Sequence, residues 1–162
     1  MRPPTGPDPI TATALRDLPP IDAAPDRVPI LHTILEHPDP YPPTVQATPL
    51  ESTLFRAAPL LCLQAIAAGI QRAARFGMCA AIRGYALQLP AARDHDGDGV
   101  GGAVEVILYA DRHHPATATA VLHRDPTGAL TRLDRPGNPH HAELLHALQV
   151  IAASARTPGR TR

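Results

Sequence analysis

Apolar positions are spaced differently in successive stretches of the chain. From Cys79 onward, four short segments carry apolar side chains at a strand-like period: Cys79 to Leu89, Ala103 to Ala110, Ala116 to His123 and Ala129 to Leu133. The second is apolar on both faces, through Val104, Val106 and Leu108 and through Ile107 and Tyr109, which predicts an interior strand. Asp125-Pro126-Thr127-Gly128 has the residues of a type I turn and predicts that the third and fourth strands form a hairpin.

Two stretches carry the helical period instead. Asn138 and Pro139 suit a cap and a first helical position, and Leu144, Leu148, Ile151 and Ala155 then form one stripe. Earlier, Thr48, Pro49 and Glu51 read as a capping box opening a long helix to Phe76, which Pro59 either kinks or restarts as a second helix and Gly77 stops. Val28 to His37 reads as two or three further helical turns, and Pro38 to Pro43 as a stiff extended connector. The order predicts an α+β fold: a two-layer sandwich of a four-stranded antiparallel meander packed against the Pro-kinked helix and a C-terminal helix.

Composition adds boundaries. Thirteen of the 20 prolines fall in residues 1–49. Residues 1–26 therefore read as an extended or disordered arm, 27–156 as one α+β domain and 157–162 as a loose tail, so that removing the arm is expected to leave the core folded. Aromatics make up 3% of the chain, so the core has to be built of Ala, Leu, Ile and Val. All 15 basic residues are Arg, which excludes a lysine-dependent phosphate loop, a Schiff base and a lysine-tethered pyridoxal. Ser52 and Ser154 lie in no nucleophile-elbow motif. Net charge is zero, so the chain as a whole has no pull toward nucleic acid or an anionic membrane, and with no signal-like or membrane-spanning run it reads as cytoplasmic. Cys62 and Cys79 read as small buried hydrophobes.

The stretch Arg93 to Glu105, RDHDGDGVGGAVE, carries the most specific chemical pattern. It resembles the calcium loop of the EF-hand family. The resemblance implies side-chain oxygens from Asp94, Asp96 and Asp98, a backbone carbonyl from Val100 and two oxygens from Glu105. The chain departs from that family at Gly101, where an apolar residue is usual, has no second loop, and has strand-like rather than helical flanks. An extended exit carries Glu105 roughly 16 Å beyond Val100, at about 3.3 Å per residue. A solvated hairpin tip is the simpler reading.

Other candidates are sparser. His140, Glu143 and His146 include half of a di-metal helical pair, but Glu143 and His146 fall opposite the apolar stripe and no second pair exists. His141 lies beside the stripe, and His113 and His114 precede Pro115 in a turn. Gln64 to Phe76 is similar to a helix-turn-helix in the spacing of Ala65 and Gly69, with Arg72 and Arg75 to reach a nucleic acid. The order of elements also suits an acyltransferase-like enzyme, although Arg135 to His141 offers a single Gly where such a fold needs a glycine-rich pyrophosphate loop. The expectation is a non-enzymatic module that binds a protein or small-molecule partner through its sheet and loops, with no cofactor. The contrasting class is a small enzyme with a pocket between sheet and helices.

The hairpin-tip reading makes a direct prediction. Millimolar calcium should leave both the melting temperature and the amide spectrum of Asp94 to Glu105 unchanged. A site at a hundredfold excess over Kd would add about 2.7 kcal/mol of stability. A saturable titration with one equivalent bound, abolished by Asp94→Asn with Asp96→Asn, would establish the loop as a calcium site.

Overall fold

The computed structural model describes residues 5–19, 21, 29–39, 43–50, 58–89, 105–125 and 127–156. In chain order these form α1 (Pro9–Arg16), β1 (Ile30–His37), β2 (Thr44–Leu50), α2 (Pro59–Arg75), β3 (Ile82–Leu89), β4 (Glu105–Asp111), β5 (Thr119–Arg124), β6 (Leu130–Leu133) and α3 (Pro139–Ser154). The strands make one antiparallel sheet in the order β2-β1-β3-β4-β5-β6.

β3 and β4 occupy the middle of this sheet, and nearly every side chain on them is buried. Both faces therefore need a cover. On the first face Tyr85, Leu87, Leu108 and Val121 form a core with Leu144, Leu148 and Ile151 of α3, and α2 packs alongside α3 through Leu63 and Ala67. The α3 cap is built as its sequence implies: Asn138 Oδ1 accepts from His140 N at 2.9 Å. Arg112 closes the far end, donating to Ala155 O at 2.9 Å and to Ala80 O at 3.1 Å. On the second face Ile34, Ala86, Ile107, Tyr109 and Ala120 lie beneath Leu15 and Leu18. Gly84 is required there, because a Cβ at this position would meet Ala110 O at 2.5 Å and the Tyr109 hydroxyl at 2.6 Å.

The α+β class and the β3–β6 meander follow the sequence expectation, and the Asp125–Gly128 hairpin closes with Gly128 N donating to Asp125 O at 2.9 Å. The sheet itself has six strands, not four. Val28 to His37 is not helical: Ile30–His37 is a central strand, paired on both sides. Thr48 and Pro49 end β2 instead of capping a helix; β2 is an edge strand, where a proline costs no ladder bond. Of the two readings of Pro59 the structure shows the second: Pro59 opens α2 at its first turn, while Glu51 and the rest of 51–57 lie outside the described residues.

Residues 9–18 are no extended arm. Asp8 caps α1 by accepting from Thr11 N at 2.8 Å, and Leu15 is completely buried. The fold thus has three layers, with α1 beneath the sheet and α2 and α3 above it.

This reverses the expectation for truncation. Leu15→Ala should destabilise the chain by about 2–5 kcal/mol. A chain starting at residue 27 should lose its cooperative melt, since Ile107 and Tyr109 would face water. An unaltered melt of the shortened chain would show that the second face needs no cover.

Candidate functional site

The site is built where the N-terminal segment crosses the second face. At its start, the register between β1 and β3 shifts between Ile34 and Leu35, which leaves Arg83 as the unpaired bulge residue. Its guanidinium pairs with Asp8 and with Glu36 at 2.7 Å, and its Nε donates to Thr11 Oγ1 at 3.2 Å. This fixes the start of α1 over the sheet. Tyr109, whose hydroxyl donates to Asp111 Oδ1 at 3.1 Å, is held neutral, since burial and the neighbouring carboxylate both push its pKa up.

Beyond α1 the chain leaves the helix, and its carbonyls lose their intrahelical donors. Side chains from the sheet replace them. Arg124 Nη1 donates to Leu18 O at 2.6 Å and Nη2 to Leu15 O at 3.4 Å. Gln88 Nε2 donates to Pro19 O at 2.6 Å and also to the Glu105 carboxylate. With its amide nitrogen facing two acceptors, Gln88 must turn Oε1 toward His32, 2.9 Å from His32 Nε2. The imidazole therefore carries its proton on Nε2 and donates it. His32, Gln88 and Glu105 lie on three adjacent strands and are all buried, so they form one polar row across an apolar face.

At the His32 end of this row lies a cavity of about 580 Å³. Its roof is Ala14 and the 17–19 segment with Ile21, its wall is Val45, Ala47 and Pro49 of β2, and its floor is Ile30, His32 and Gln88. Asp17 and Gln46, both exposed, stand at its mouth. The lining is mostly apolar with a few converging hydrogen-bonding groups, which is the usual make-up of a small-molecule site. A second cavity of about 550 Å³ runs between α2 and α3, almost wholly apolar apart from Gln64, Glu143 and His146.

The sequence candidates are distributed as follows. Asp94, Asp96, Asp98 and Val100 lie outside the described residues. Glu105 starts β4 with its carboxylate engaged by Gln88 on the second face. His140, Glu143 and His146 are exposed on α3, and among the described residues no three His, Cys, Asp or Glu side chains are grouped to hold a metal ion. His141 is half-buried, and burial first, then His140 and His123, hold its pKa below the ordinary imidazole value. Its neutral form is thus the one the fold favours, and stability falls as pH drops through the unfolded value near 6.5. Burial pushes the Cys79 thiol up, with Arg112 opposing, and its Sγ contacts Ile70 O at 3.9 Å, so it is not poised as a nucleophile. Gln64 to Arg75 belongs to one uninterrupted helix, so no turn separates two helices at Gly69. Among the described residues no helix is long and apolar enough to cross a membrane.

His32 and Gln88 escaped the sequence reading. Their signal was a polar residue set among apolar ones, His32 between Leu31 and Ile34 and Gln88 in Ala86-Leu87-Gln88-Leu89, legible only once both stretches are read as strands buried on two faces. No protein-family model matches the sequence, no curated protein matches it, and no solved structure matches the fold.

The polar row can be tested by charge. Gln88→Leu deprives His32 Nε2, Pro19 O and the Glu105 carboxylate of partners, each at about 1–3 kcal/mol when buried. Gln88→Glu places a second carboxylate against Glu105, so one of the two takes up a proton more readily folded than unfolded. Its stability should therefore be lowest near neutral pH and recover on acidification, in denaturant melts at about pH 7 and about pH 5. A flat profile for Gln88→Glu would mean that the two side chains do not meet.

Proposed function

We propose that this chain is a non-catalytic binding module whose site is the cavity beneath Ala14, the 17–19 segment and Ile21, with a small, largely apolar ligand whose polar head meets His32 and Gln88. One observation carries this reading: a cavity of about 580 Å³ opens onto a row of buried, mutually hydrogen-bonded polar side chains. That volume falls inside the roughly 300–1,000 Å³ of small-molecule sites. The half-buried Ile30, Val45 and Ala47 offer apolar contact, and the polar floor offers orientation.

Binding is favoured over catalysis by the state of those polar groups. Gln88 has both ends of its amide engaged, and the His32 Nε2 proton is committed to it. A general base has to be within reach of a substrate proton, and a covalent mechanism needs a nucleophile. The cavity lining holds no Ser, Thr, Cys or Tyr among the described residues, and its one carboxylate, Asp17, is exposed at the mouth, away from the polar floor. The sheet is the binding surface in this reading, as the sequence expectation has it, and loops contribute the roof.

The test is a library of small amphipathic acids, amides and amines screened by amide-resolved NMR against the full chain and against Ala47→Phe, which fills the cavity from β2. Binders should move the amides of Ile30, His32, Val45 and Gln88, and their affinity should drop at least tenfold in Ala47→Phe, a loss of about 1.4 kcal/mol or more. Binders that leave those amides still and tolerate Ala47→Phe would overturn the assignment of the site. Consumption of a bound compound would overturn its non-catalytic character and favour the enzyme reading.

A further inference from the structure

A separate feature lies at the opposite end of α2 from Pro59. The helix ends at Arg75, and the chain reverses through Phe76, Gly77 and Met78, with Gly77 at φ 71° making the left-handed turn. Met78 N donates back to Ala73 O at 3.2 Å, which fixes the turn against the helix. Phe76 is 78% exposed and Met78 74%, the two most exposed large apolar side chains among the described residues. Both project from a built turn, not from a fraying terminus. Phe is scarce in this chain, with two in 162 residues, yet one is spent on solvent.

Basic side chains stand beside this tip, and the nearest carboxylate, Glu36, whose N donates to Ala81 O at 2.8 Å, is paired with Arg83. Arg72 and Arg75 occupy the last turn of α2 and are exposed. Arg112 donates to both Ala155 O and Ala80 O, so the end of α3, where the exposed Arg156 follows, is tied to the segment just after this turn. In the sequence no Asp or Glu occurs between Ser52 and Arg93, and Arg160 and Arg162 follow Arg156. Part of this basicity complements the negative end of the α2 dipole. That role does not require the two bare apolar side chains beyond it.

We infer that the Phe76–Gly77–Met78 tip, with Arg72, Arg75 and Arg156 around it, is a docking surface for an anionic lipid surface, with the two side chains entering the interface and the guanidinium groups meeting phosphate headgroups. Size decides against a folded protein partner. A specific protein interface buries about 800 Å² on each side. Phe76 and Met78 together offer at most a few hundred. A lipid surface makes no such demand, because it deforms around a convex tip and adds an electrostatic attraction for each nearby Arg. The chain as a whole is neutral, so the attraction is local, short-ranged and salt-sensitive. The tip shares no residue with the cavity on the second face, so this inference stands independently of the binding reading above.

The experiment is sedimentation of the full chain with phosphatidylcholine vesicles, with and without phosphatidylglycerol, at low and high salt. Binding is expected only to the phosphatidylglycerol vesicles and is expected to fall with salt. Phe76→Ser with Met78→Ser alters exposed side chains only, so the melt should be unchanged while partitioning falls on the order of tenfold or more. Arg72→Gln with Arg75→Gln should lower it on the order of tenfold at low salt and little at high salt. Absence of sedimentation with anionic vesicles at low salt would overturn the inference. So would binding that is indifferent to the Phe76 and Met78 changes. Self-association of the chain that these changes abolish, without vesicle binding, would reassign the tip to a protein contact.

Discussion

A sheet whose middle strands have no solvent face must be covered twice, and here the second cover is an eight-residue helix. Helices so short do not persist by themselves in water. α1 is therefore defined by what grips it: Asp8 by Arg83 at one end, Leu15 and Leu18 beneath, and the carbonyls of Leu15, Leu18 and Pro19 by Arg124 and Gln88 at the other. Each grip comes from the sheet, so the segment takes its shape from the surface it protects. The bulge at Arg83 belongs to the same solution, since the unpaired bulge residue supplies the anchoring guanidinium.

That dependence explains which parts of the fold were legible. α3 and the β3–β6 meander carry their own local signals: a cap, an apolar stripe, alternation and a turn sequence. β1 does not. Leu31 with Leu35, and Ile30 with Ile34, are four apart, a spacing that suits a helix stripe and one face of a strand equally. Only partners on both sides, β2 and β3, settle it as a strand, and neither is visible locally. α1 carried a readable cue that the abundance of proline masked. Asp8-Pro9 is the same cap-and-first-position pair as Asn138-Pro139, and Thr11, Leu15 and Leu18 follow at i, i+4 and i+7. One member of that stripe is Thr, buried at 1% exposure, so a pattern of large apolar residues alone passes over it.

The cavity was illegible for a different reason. Its polar floor is contributed by β1 and β3, 56 residues apart in sequence, and its roof by a segment 69 residues from Gln88. No spacing along the chain encodes such a meeting. What the sequence does show is single polar residues inside apolar strands, and the structure gives them a common purpose: His32, Gln88 and Glu105 meet because they share one face of three neighbouring strands.

The position of the cavity follows from the same constraint that requires α1. A helix covers a strand pair with side chains every third or fourth residue, but after Arg16 the cover is an irregular strip that includes Pro19. Irregular backbone brings its own unpaired carbonyls, and the sheet answers with Gln88 and Arg124 instead of apolar side chains. Around them stand Ala14, Ala47, Pro19 and Pro49, which are too short or too constrained to fill the space. A volume-filling core would have put Leu or Ile there. Polar groups that satisfy the cover and small residues that fail to fill beneath it thus occur together, and a departure from close packing at that one place is where a ligand would replace the missing side chains.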